Sequence, residues 1–190
     1  MEIRIQERGE CRLLVTKILD PGIGVNFLVI FDRDGTLSED HGPMSGKSHC
    51  IILPNVLHEL KRILNPKISF AIATNQSYVG RGNLRLQDVE EFNSKLLGML
   101  SVIGLEMNYI AICPHTPDDH CLCRKPKPGM INELVAISGI IDKSKIFFIG
   151  DKDSDEQAAI EAGITPLNLQ KMDFGSAISY IDAQLKQGMI

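Results

Sequence analysis

The chain has 190 residues and a formal net charge of -4. That is long enough for one domain with a substantial core, and it lacks the basic excess by which nucleic acid or an anionic membrane selects a partner. Its 44% hydrophobic and 23% charged residues are an ordinary globular balance, and no apolar run approaches the ~20 residues that span a bilayer.

The first residues, "MEIRIQERGECRLLVTKILD", are studded with charge and have no apolar signal core. A cytosolic, reducing location is therefore expected, where the five cysteines act as thiols or metal ligands rather than disulfides. Residues 1–26 form an extension in which "EIRIQ" and "CRLLVTKIL" read as two short strands, or a strand and a turn, before Pro21-Gly22. Their simplest role is extra sheet edge. From residue 27 onward, β-rich runs fall at 27–31 ("FLVIF"), 68–73 ("ISFAIA"), 109–112 ("YIAI") and 146–149 ("IFFI"). Helical stretches lie between them. "NVLHELKRILNP" carries Asn55 as expected N-cap, and "LQDVEEFNSKLLGMLSVIG" closes at Gly104. "PGMINELVAISG" follows, and "SDEQAAIEAG" has Ser154 and Gln157 at capping-box spacing. Near the end, "FGSAISYIDAQLKQ" is a docking helix with Ile178 and Ile181 facing inward.

Short, uniformly apolar strands alternating with helices describe an α/β fold with a parallel sheet covered on both faces. Ligands of such folds bind beyond the carboxyl ends of the strands. Those ends read "DRDGT", "TNQSYVGRG", "CPHTPDDHCLCRKP" and "GDKDSDE", all polar, and they predict one site built from four distant segments.

Alternate residues of an extended strand point the same way, so Asp32 and Asp34 converge on one volume. Two close carboxylates repel, and burial raises the cost of ionising either. A hard cation such as Mg2+, which takes carboxylate and water oxygens, removes that penalty. Asp151 completes the predicted metal shell, with Asp155 as its outer partner. "DKDSDE" is not an EF-hand, since Glu156 stands where Gly is required. With metal present, one Asp is free to act as nucleophile and the other to protonate a leaving oxygen and then activate water. Positive charge and donors for three phosphoryl oxygens are then needed. Thr74, Asn75, Lys125 and Lys152 supply them at the other strand ends, although taken alone "DRDGT" is also a plain solvated turn and Thr74 a plain capping hydroxyl.

In this order, "DRDGT", "TNQS", "RKP" and "GDKDSD" resemble the four motifs of the haloacid-dehalogenase-like phosphohydrolases across residues 27–169. The resemblance implies a Rossmann-like three-layer α/β/α domain over residues 27–190, with a mostly parallel sheet and no cap domain. It implies Asp32 as nucleophile, Asp34 as general acid/base, and Thr74 and Lys125 on the transferring phosphoryl group. Mg2+ would lie on Asp32, the backbone carbonyl of Asp34, and Asp151.

Cys113, His115, Cys121 and Cys123 form C-x-H-x5-C-x-C, a set suited to a tetrahedral structural Zn2+ with no open position for water. His120 is a potential substitute ligand. Cys11 and Cys50 are expected to be inert. A zinc loop of this kind running into "CRKPKPGM" is similar to that of the D-glycero-D-manno-heptose-1,7-bisphosphate 7-phosphatases and of the related histidinol-phosphate phosphatases. The heptose group is favoured by "TNQSYVGRG", by Lys152 after "GD", and by "DHGP". That resemblance implies substrate contacts from Asp40, His41, Gly42, Asn75, Gln76, Ser77, Arg124 and Lys152, with Arg124 on a second phosphate or a hydroxyl. Tyr78-Val79-Gly80 and "MSGKS" (44–48) depart from the pattern. The expected partner is a small sugar phosphate in an open site of a monomer, with neither membrane nor nucleic acid. Aromatic residues at 5% are too few for a strand-binding groove, which disfavours a nucleic-acid 3′-phosphatase. A binding module with a decayed site is disfavoured because Asp32, Asp34, Thr74, Lys125 and Asp151 are all present.

Overall fold

The computed structural model describes residues 2–8, 11–42 and 50–187. Pro43 of "DHGP" and the departing stretch at 44–48 lie outside them. Among the described residues seven strands make one sheet: β1 (Glu2–Arg8), β2 (Cys11–Lys17), β3 (Phe27–Phe31), β4 (Ile68–Asn75), β5 (Tyr109–Cys113), β6 (Ile146–Gly150) and β7 (Thr165–Asn168). Their order is β1-β2-β5-β4-β3-β6-β7. From β5 to β7 every pairing is parallel, with β3 between β4 and β6. β1 and β2 form an antiparallel pair, and β2 adds antiparallel to β5 through Leu14↔Ile112 to Lys17↔Tyr109.

The helices are α1 (Val56–Leu60), α2 (Ser77–Gly80), α3 (Leu86–Ser101), α4 (Gly129–Ser138), α5 (Asp153–Ala162) and α6 (Phe174–Gln187). The period-2 geometry of β3 explains its unbroken apolarity. Phe27, Val29 and Phe31 pack with α1, α3 and α6, while Leu28 and Ile30 pack with α4 and α5 on the other face. The result is the expected three-layer α/β/α arrangement. Ile178 and Ile181 are fully buried, as the spacing of α6 predicts. No insert resembling a cap domain occurs among the described residues, and none of their helices is long and apolar enough to cross a membrane.

Local details differ from expectation. α1 is short and tightens into a 3-10 turn over Lys61–Ile63, and Asn55 sits at φ 66 without a side-chain cap bond. α5 begins earlier than "SDEQ" suggests: its cap is Lys152, whose N–H donates to Asp155 at 3.1 Å. β7 is an additional strand beyond those expected, and Pro166 lies in it. The strand is at the sheet edge, where a missing N–H costs little.

Candidate active site

The Asp32 N–H donates to Ile149 O at 2.8 Å, so the chain leaving β3 is pinned to β6 just where the carboxylates begin. Gly35 has φ 90, and a Cβ there would collide with the carboxylate of Asp151. Gly150 makes similar room for Asp155. Two backbone positions without side chains thus let Asp151, just past β6, and Asp155 of α5 close onto the end of β3.

Asp32, Asp151 and Asp155 each present a carboxylate oxygen, and these oxygens lie within 4.8 Å of one another. Hard oxygen ligands at this spacing suit Mg2+. Asp34 is oriented differently. Its carboxylate accepts from Arg33 Nε (3.1 Å), Arg33 Nη2 (2.8 Å) and Gln76 Nε2 (2.8 Å). Lys125 is buried; its Nζ donates to Asp32 Oδ1 (2.6 Å) and Ala73 O (2.9 Å) and forms an ion pair with Asp155 Oδ1 at 2.7 Å. Asn75 clamps the Lys125 backbone from both sides, donating to its carbonyl at 3.1 Å and accepting from its N–H at 3.2 Å. Thr74 Oγ1 accepts from Gln76 Nε2 at 2.7 Å.

The electrostatics follow from burial and crowding. Burial pushes the Asp32 carboxyl up, and Asp155 and Asp34 add to this against the pull of Lys125. Burial and then Asp32 also raise Asp151. Burial alone would lower Lys125, but Asp32 and Asp155 outweigh it and raise its pKa. Negative charge therefore exceeds what one ammonium offsets, and a divalent cation would relieve the excess.

A cleft of about 470 Å³ opens over these groups, lined in part by Asp32, Asp34, Thr74, Lys125, Arg124 and Lys152. Asp40, Gly42, Asn75, Gln76 and Ser77 also face it, whereas His41 does not line it and lies 3.0 Å from Glu39. Lys152 Nζ donates to Asp40 at 3.2 Å across the rim. Tyr78, noted in the sequence only as a departure, forms part of the wall, near Gly42.

The Cys113, His115, Cys121 and Cys123 ligand atoms cluster as expected. The Cys123 sulfur lies 3.3 Å from Cys113, 3.5 Å from Cys121 and 3.3 Å from His115 Nδ1. Cys113 is 3.7 Å from Cys121 and 3.5 Å from His115 Nδ1. Zinc bonds of about 2.3 Å to S and 2.0–2.1 Å to N place tetrahedral ligands roughly 3.5–3.8 Å apart, so the four atoms fit that ion. Hydrogen bonding from Cys123 helps to hold Cys113 down at about 6, which favours the thiolate a metal requires. His120 is not a member of the cluster. From this loop, Arg124 reaches the cleft with Nη1 donating to His115 O at 3.2 Å.

Sequence reasoning missed Arg33, although it stands inside "DRDGT". A cation at a buried strand end was the available signal.

Comparison with known proteins places these features in context. The sequence model of the family described as polynucleotide kinase 3 phosphatase matches residues 27–179. A D-glycero-beta-D-manno-heptose-1,7-bisphosphate 7-phosphatase of Pseudomonas aeruginosa is 32% identical over 164 residues, covering 86% of this chain and 90% of the relative. The histidine biosynthesis bifunctional protein HisB of Blochmanniella floridana is 32% identical over 77% of this chain but only 42% of its own length. Among solved structures, a D,D-heptose 1,7-bisphosphate phosphatase of B. bronchiseptica, complexed with magnesium and phosphate, superposes with a TM-score of 0.72. Its identity is 29%, over 85% of this chain and 99% of that one.

Proposed function

This chain belongs to the polynucleotide kinase 3 phosphatase family of haloacid-dehalogenase-like enzymes, and we propose that it hydrolyses the 7-phosphate of D-glycero-D-manno-heptose 1,7-bisphosphate. It is a phosphoric monoester hydrolase. The observation that carries the reading is the meeting of Asp32, Asp151, Asp155 and Lys125 at one cleft, in a chain that matches the heptose enzymes along most of its length.

In this reading Asp32 is the nucleophile. Its free carboxylate oxygen forms a bond to phosphorus as the bond to the sugar oxygen breaks, and Asp34 gives that oxygen a proton. Asp34 then takes a proton from water, whose oxygen displaces the Asp32 carboxylate and releases inorganic phosphate. Lys125 holds the other Asp32 oxygen still, and Thr74 and the strand-end amides face the phosphoryl oxygens. Mg2+, held by Asp32, Asp151 and the Asp34 carbonyl, would supply charge neutralisation for the transferring group. Asp155, expected as its outer partner, also carries the Lys125 ion pair. Arg124 and Lys152 suit the second phosphate of a bisphosphate, with Asp40 and Gly42 on the sugar side. The zinc loop, held as Cys3His, braces Arg124. Residues 27–190 constitute the phosphatase domain, and residues 1–26 widen its sheet. Thiol ligands of this kind suit the cytosol.

A panel of small phosphomonoesters assayed for phosphate release tests the substrate. Preference for histidinol phosphate over the heptose bisphosphate would favour the activity suggested by the HisB relative and overturn the first choice.

Mg2+ binding has a predictable pH dependence. Asp32 and Asp151 have raised values, so their share of stability is complete below the ordinary carboxylate value of about 3.9 and is lost as pH rises through the raised values. Mg2+ restores it, and protons compete with the ion. The rise in melting temperature on adding millimolar Mg2+ is therefore expected to be larger at about pH 7.5 than at about pH 5. A gain independent of pH would contradict a shared carboxylate site.

Zinc removal by a strong chelator is expected to lower the melting temperature and to raise KM for the bisphosphate several-fold, because Arg124 loses its His115 anchor. Elemental analysis before and after treatment checks the metal. A protein that contains no zinc as purified and binds none on addition would refute the loop assignment.

A further inference from the structure

Among the described residues Arg33 is the largest fully buried side chain, at 1% exposure, and it lies between Asp32 and Asp34 in sequence. A guanidinium taken out of water is costly unless its donors are met, and each edge of this one is engaged. Nε donates to Asp34 Oδ1 at 3.1 Å and Nη2 to Asp34 Oδ2 at 2.8 Å, a two-pronged fork. Nη1 donates to Asn93 Oδ1 of α3 at 3.0 Å, and the guanidinium lies 4.2 Å over the ring of Phe92. The two reactive carboxylates thus have separate cations, Lys125 for Asp32 and Arg33 for Asp34.

A carboxylate oxygen has two lone pairs in its plane. Asp34 Oδ2 uses both, on Arg33 Nη2 and Gln76 Nε2, whereas Oδ1 accepts from Arg33 Nε and retains one. We infer that Arg33, braced by Asn93 and Phe92, is the positioning residue of Asp34 and selects Oδ1 as the oxygen that carries the travelling proton. Oδ1–H gives that proton to the leaving alkoxide as the P–O bond breaks, and Oδ1 recovers one from water as the Asp32–phosphate bond is cleaved. A merely structural arginine would fill space and satisfy charge without setting the direction of proton delivery. The inference rests on the reading of Asp34 as acid/base.

Leaving-group dependence separates the two roles. Heptose 1,7-bisphosphate departs as a primary alkoxide that needs a proton, whereas p-nitrophenyl phosphate departs as a stable phenolate that does not. Both kcat/KM values report steps through departure of the leaving group, so their ratio isolates proton delivery. In Arg33→Met the alkyl-to-aryl ratio of kcat/KM is expected to fall about tenfold or more. Arg33→Lys recovers little of it, since an ammonium cannot reproduce the fork. Asn93→Ala, which keeps Arg33 but frees its far edge, shifts the ratio in the same direction by less, and it decides the matter if Arg33→Met does not fold. An equal fall for both substrates in the folded variants would overturn the inference. Asp34→Asn is the control. If it moves the ratio and the Arg33 and Asn93 variants do not, the positioning role fails alone; if Asp34→Asn leaves the ratio unchanged, the acid/base reading of Asp34 fails.

Discussion

Asp32→Asn is expected to lower phosphate release by several orders of magnitude while leaving the chain folded and the zinc loop loaded. An amide is a poor nucleophile toward phosphorus, and the neighbouring carboxylates have other work: Asp155 is held by Lys125 and the Lys152 N–H, Asp34 by Arg33 and Gln76, and Asp151 belongs to the proposed Mg2+ shell. The fold tolerates the change because Lys125 keeps its partner Asp155 and its bond to Ala73 O. Stopped-flow or colorimetric phosphate assays with a circular dichroism check suffice. Turnover within tenfold of the unmodified enzyme would refute covalent catalysis by Asp32.

Lys125→Met is expected to damage both catalysis and stability. Met fills much of the same volume but leaves Asp32 and Asp155, both buried, without their cation. Breaking a buried pair in this way costs about 3–5 kcal/mol, equivalent to roughly 10 °C in the melting temperature of a domain this size. Two recoveries are expected of the destabilised variant. Millimolar Mg2+ should restore part of the loss by supplying positive charge. Mild acid should do the same, since Asp32 already has a raised pKa and is neutralised as pH falls. Catalysis should return with neither. A variant that melts like the parent in metal-free buffer would mean that Lys125 carries none of the charge balance ascribed to it.

Much of this architecture was legible in the sequence because it depends on short-range pattern. Apolar runs such as "FLVIF" and "IFFI" announce strands buried on both faces, and the polar tails that follow announce where a site must form. The Cys/His spacing was equally plain, because four ligands within eleven residues need little knowledge of the remaining chain. What escaped notice depends on partners distant in sequence. Asp155 was legible as an outer partner of the metal shell, but not its burial against Lys125, 30 residues earlier in the chain. Arg33 looks like a solvated turn residue until α3 brings Asn93 and Phe92 over it. The cap of α5 moved for a similar reason: Asp155 was already committed to the site, so it, rather than Ser154 or Gln157, sets the start of the helix. β7 went unread as well, and the tolerance of its Pro166 depends on the strand being outermost.

The lysine–nucleophile contact joins residues 93 positions apart, and β3 is flanked by β4 and β6, both made after it. During synthesis the nucleophile strand emerges first and must wait for both neighbours, since loop closure precedes any reward from such pairings. A nascent or truncated chain ending short of β6 therefore carries Asp32 in place but has no partner strand on that flank and no Asp151 or Asp155. Phosphoryl chemistry switches on late and all at once, and proteolytic fragments of this enzyme should be inert rather than partly active.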